Sequence, residues 1–140
     1  MSQADILIKA LDNEENEYIL QFTSKDIEEK KKNILNEIGV DNEKIDEYLK
    51  KLQNYIYVDE FHEMPSGCFI RWIPLKNPDN IFLTKGANIC DLNFCNKTSY
   101  LKCKNFNNTH MQIKVDECLI FRKMNPQEKL LISAMNYLTK

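Results

Sequence analysis

Gly67-Cys68-Phe69-Ile70-Arg71-Trp72-Ile73-Pro74-Leu75 is an almost unbroken apolar run that holds the only tryptophan of the chain and a single cation, Arg71. It is shorter than an ordinary helix, follows Pro65-Ser66-Gly67 and stops at Pro74, so it reads as a strand buried on most of both faces. Such a strand needs cover, and the flanking sequence supplies it in two forms. Before Tyr55 the apolar residues recur at helical spacing, and after it the period is two.

On the N-terminal side, Ser2-Gln3-Ala4-Asp5 is a capping signal and Ile6, Leu7, Ala10 and Leu11 follow on one stripe. Thr23 or Ser24 caps a second helix with Asp26, Glu28 and Glu29 in its first turn, an apolar stripe of Ile27, Ile34, Leu35 and Ile38, and Gly39 as its stop. The run Glu28-Glu29-Lys30-Lys31-Lys32 reads as a solvated face. Asp41 caps a third helix carrying Ile45, Tyr48, Leu49 and Leu52.

On the C-terminal side, strands are predicted at Tyr55–Val58, Cys68–Leu75, Ile81–Thr84, Ala87–Leu92, Tyr100–Phe106, His110–Val115 and Cys118–Arg122, with Gly86 at the position of a tight turn that needs positive φ. For the hairpin around Asn107-Asn108-Thr109, a two-residue turn would set Lys104 against Met111 and Lys102 against Ile113. A three-residue turn matches like with like: Leu101 with Val115, Cys103 with Ile113 and Asn105 with Met111 inside, Lys102 with Lys114, Lys104 with Gln112 and Phe106 with His110 outside. Asn125-Pro126-Gln127-Glu128 then opens a last helix with a capping box. The expectation is an α+β chain of one compact unit: a helical arm over 1–56, a small antiparallel β-barrel over 57–124, SH3-like in preference to OB-like, and a C-terminal helix over 125–140 packed on the barrel.

The 140 residues carry a net charge of −2, which argues against a surface built as a whole for polyanions. Charge is uneven, −5 over residues 1–56, +2 over 57–125 and +1 over 126–140, so a basic face belongs to the second half. Five cysteines, an odd number, and no apolar run long enough for a bilayer predict free thiols, an intracellular reducing compartment and no membrane association. Asn96-Lys97-Thr98 and Asn107-Asn108-Thr109 match glycosylation acceptors that an intracellular chain does not use.

Tyr57-Val58-Asp59-Glu60, Gly67 with Ile70-Arg71-Trp72-Ile73, Leu83-Thr84-Lys85-Gly86, and Cys103-Lys104-Asn105-Phe106 with Phe121 resemble a group of uncharacterised small proteins of large nucleocytoplasmic DNA viruses, over residues 45–140. The resemblance implies a viral setting, host cytoplasm or virion, and no activity or site residue comes with it.

Chemistry-bearing motifs are sparse. Cys90, Cys95 and Cys103 lack the close paired spacing of zinc ligands, while Cys68, Cys103 and Cys118 fall in apolar strands where a thiol acts as a small hydrophobe. His62-Glu63 is followed by Met64-Pro65 without a second histidine at helical spacing, and three glycines cannot form a phosphate cradle. No cofactor, metal or catalytic group is therefore expected, and the chain reads as a non-enzyme. Arg71 has two readings, a structural pairing with Asp59 or Glu60 and a fork presented beside Phe69 to an anionic ligand. The candidate binding surface is the outer hairpin face, Lys102, Lys104 and Lys114 interleaved with Tyr100, Phe106 and His110. It suits a protein partner or a second copy of the chain; the alternative is single-stranded nucleic acid, with rings stacking bases and lysines following phosphates.

Overall fold

The computed structural model describes residues 3–12, 24–58, 67–95 and 97–138. The elements are α1 (Gln3–Asp12), α2 (Ser24–Glu37), α3 (Asn42–Lys51), β1 (Tyr55–Tyr57), β2 (Phe69–Pro74), β3 (Ala87–Cys95), β4 (Thr98–Lys104), β5 (His110–Lys114), a 3-10 turn (Val115–Glu117), β6 (Cys118–Lys123) and α4 (Pro126–Leu138). They divide into a helical unit, Met1–Asn54 with Met124–Lys140, and a sheet unit, Tyr55–Lys123. The α+β class and the helices at both ends are as the sequence predicts.

In the helical unit, α2 buries Ile27, Lys31 and Leu35, four residues apart on one stripe. Lys31 thus departs from the solvated face expected for its charge run. Its stem lies in the apolar stripe, and its ammonium, 1% exposed, donates to Leu52 O at 2.9 Å and pairs with Glu28 Oε1 at 2.6 Å. Leu52 ends α3, so the lysine satisfies a carbonyl that the helix itself leaves open. The α2 stop is as expected: Gly39 takes φ +82°, with its N–H on Asn36 O and that of Val40 on Leu35 O. Asp41 occupies the α3 N-cap position without a side-chain cap bond. α4 starts with a complete capping box, Asn125 N–H to Glu128 Oε1 at 3.0 Å and Glu128 N–H to Asn125 Oδ1 at 2.8 Å. Further along, Asn136 grips the start of α2, accepting from Ser24 N–H at 2.9 Å and donating to Ser24 Oγ at 2.6 Å.

The sheet unit corrects the barrel expectation. Its six strands form one antiparallel sheet in the order β1-β6-β2-β3-β4-β5, and β1 and β5 are its two edges. Closing a barrel requires the first and last strands to pair with a consistent stagger, and here no pairing joins them. The expected strand Ile81–Thr84 is irregular. It follows a turn at Asn77–Asn80 and meets β2 at Thr84, which exchanges bonds with Trp72, N–H to O at 3.0 Å and Trp72 N–H to Thr84 Oγ1 at 3.2 Å. β2 accordingly meets β3 only at Phe69↔Asn88 and Ile70↔Ala87, while β6 runs beside β2 from Ile70↔Arg122 to Pro74↔Cys118.

One face of the sheet gathers the apolar core: Val58, Ile70, Trp72, Ala87, Ile89, Leu101, Cys103, Ile113 and Ile120. On the opposite face the character changes along the strand order. Over β1, β6 and β2 it carries the buried Tyr55, Ile73, Leu119 and Phe121, with Tyr57 edge-on to Phe121 at 5.8 Å. Over β3, β4 and β5 it is polar.

Candidate binding face

Strand register builds this polar face row by row. Pairing of β4 with β5 sets Lys104 against His110, Lys102 against Gln112 and Tyr100 against Lys114. On the other side of β4, Lys104 faces Asn88, Lys102 faces Asp91 and Tyr100 faces Asn93. Facing residues in a sheet share a side, so the predicted set of Tyr100, Lys102, Lys104, His110 and Lys114 is brought onto one surface.

The hairpin loop has the expected three residues, but they are Phe106, Asn107 and Asn108. Asn105 N–H bonds Thr109 O at 3.1 Å, and Asn108 N–H bonds Asn105 O at 3.1 Å with Asn108 at φ +61°. Asn105 decides this placement. Its Oδ1 accepts from the N–H groups of Asn107 and Thr109 at 2.9 and 3.0 Å, closing the loop one residue earlier than pattern matching suggests. A slip of two in pairing keeps every side chain on its face while changing its neighbour. Lys102 and Lys114 are therefore not opposed, and the like-charge contact expected between them is absent.

Phe106, freed from the strand, stands at the loop tip 79% exposed, with its ring 5.5 Å from that of Phe69 and tilted by 33°. Phe69 faces Asn88, which faces Lys104, which faces His110. A row of aromatic, amide, ammonium and imidazole groups thus crosses four strands at one end of the face.

Three partners escaped sequence reasoning. Asp91 lies opposite Lys102 because a bulge between Ile89 and Asp91 resets the alternation of β3. The signal was there in the apolar spacing, since Ala87, Ile89 and Leu92 break a period of two. Glu117, in the 3-10 turn, sits 3.6 Å from Lys114. Asn88 completes the row beside Lys104. Arg71 belongs elsewhere. It lies on β2 opposite Phe121, and its Nε donates to Thr84 O at 2.8 Å. Burial pushes the Tyr55 hydroxyl up, and the Arg71 charge pulls it partly back. The proposed partners Asp59 and Glu60 lie outside the described residues, as does His62.

Of the thiols, Cys90 is exposed at the bulge, whereas burial pushes Cys103 up to about 11, with Cys90 and Cys118 adding to the shift. Cys118 also reaches about 11 through burial, with Glu117 contributing. Among the described residues no group of three histidine, cysteine or carboxylate side chains could hold a metal ion, and no helix is long and apolar enough to cross a membrane. Comparison with protein-family models, with curated proteins and with solved structures returns no match to the chain.

Proposed function

We propose that the chain is a non-catalytic binding module of a viral intracellular or virion setting, which docks a protein partner or assembly subunit on the polar face of β3, β4 and β5. The observation that carries this reading is Phe106, a large ring held out against Phe69 at the tip of the loop that follows the Lys104–His110 pair. Aromatic anchors surrounded by polar groups are the usual centres of protein interfaces. Mixed charge supports the choice of partner. Asp91 stands opposite Lys102 and Glu117 stands near Lys114, so a phosphate chain laid along the lysines would meet two carboxylates.

The second reading, single-stranded nucleic acid, is favoured by the row from Phe69 to His110, where a base could stack on Phe106 with Lys104 beside its phosphate. Affinity capture with the full chain, with and without nuclease, separates the two. A partner retained after nuclease and lost with Phe106→Ala supports protein docking. Capture that disappears wholly with nuclease supports the second reading.

A further inference from the structure

We infer that the outer edge of β5 receives an extended segment of the partner protein, alternately apolar and acidic, as an added strand; this rests on the binding-module reading and names the form of the partner. β5 ends the sheet, and no described strand lies beyond it. In an antiparallel pair, facing residues alternately spend their N–H and C=O groups on each other or point them away. The bond from Asn105 N–H to Thr109 O fixes the phase. Met111 and Ile113 bond across to Cys103 and Leu101, and the backbone groups of His110 and Gln112 and the N–H of Lys114 point outward, the Lys114 carbonyl serving the 3-10 turn that follows. The opposite edge, β1, has three residues, two of them buried, and offers far less.

Charge selects the occupant. The residues with outward backbone groups also carry the polar side chains, His110, Gln112 and Lys114, continuing the rows of Lys104, Lys102 and Tyr100. A strand laid beside β5 meets these on one side and the rim formed by Met111 and Ile113 on the other, which asks for acids alternating with apolar residues. A second copy of β5 fits badly. Antiparallel pairing about Gln112 gives each Lys114 the His110 of the other copy and no acid, and parallel pairing sets Lys114 against itself; an edge lysine of this kind blocks self-pairing. Glu117, 3.6 Å from Lys114, is half-exposed and holds it loosely, so an incoming carboxylate can compete.

The test is titration of the isotope-labelled full chain with a short peptide alternating glutamate and valine. Amide signals of His110, Gln112 and Lys114 should shift and exchange more slowly, while a peptide alternating lysine and valine should leave them unchanged. Gln112→Pro removes one outward N–H without touching the bonds to β4, and should weaken the glutamate peptide about tenfold. The same peptide with N-methyl groups on alternate residues, which leaves the protein intact, should fail to bind. Equal binding of the glutamate and lysine peptides, or undiminished binding of the N-methylated peptide, would overturn the edge site. Retention of the nuclease-resistant partner by Gln112→Pro would also overturn it, yet leave the binding module standing. The module reading itself falls when the wild type captures no protein that survives nuclease.

Discussion

A methyl group at Gly86 would lie 2.5 Å from Ile70 O and 2.7 Å from the Phe69 ring, on a backbone at φ +95°. Gly86→Ala should therefore cost about 2 kcal/mol or more in denaturant unfolding, from strain and steric overlap together. The same ring supports Phe106, so the variant should also weaken partner capture beyond what its lost stability explains. Titration of the thiols gives a second expectation. Cys103 and Cys118 go from 9.0 to about 11 in the folded protein. A folded-state pKa above the unfolded one means that the folded chain holds its protons longer, so stability is full below pH about 9 and declines as pH rises towards about 11. Melting temperature should be flat from neutral pH to about 9 and fall above it, and Cys103→Ala should reduce the slope of that fall.

Helix ends were the most legible elements because their chemistry is local. The capping box at Asn125 and Glu128 and the αL stop at Gly39 each depend on a few adjacent residues; Gly86 takes the expected positive φ, though the tight turn expected around it does not form. Asn125→Ala should cost about 1 kcal/mol, read from chemical denaturation, and Asn125→Asp should restore most of it. Hairpin pairing was half legible. Alternation fixed which face Lys102 and Lys104 occupy, but the neighbour of each depended on Asn105 accepting two backbone bonds, which apolar matching does not see. Burial of Lys31 was hidden for a related reason, since its partner is the Leu52 carbonyl, distant in sequence and silent in any side-chain pattern. The candidate face was therefore readable as a set of residues, whereas its countercharges at Asp91 and Glu117 depended on a bulge and a 3-10 turn.

For the whole molecule, sheet closure is a cooperative property of strand lengths and edges, and several short strands with tight turns do not determine it. An open sheet and a barrel share that local grammar. The two functional readings also separate at this scale, through the response to salt. If the lysine face follows phosphates, the logarithm of oligonucleotide affinity should fall against that of salt with a slope of about −0.7 per neutralised phosphate, and changing Lys102, Lys104 and Lys114 to glutamine should flatten it by about two units. On the docking reading, no oligonucleotide binding is expected even at about 50 mM salt, and the triple variant should match the wild type. β6 adds a consequence for how the protein is made. It is the last strand in the sequence but lies between β1 and β2, the first two. On the ribosome the first five strands emerge with a vacant slot among them, and the sheet becomes continuous only when Lys123 has left the exit tunnel. Until then β1 has no neighbour and one side of β2 is bare, which marks the nascent chain, rather than the finished protein, as the form most in need of a chaperone.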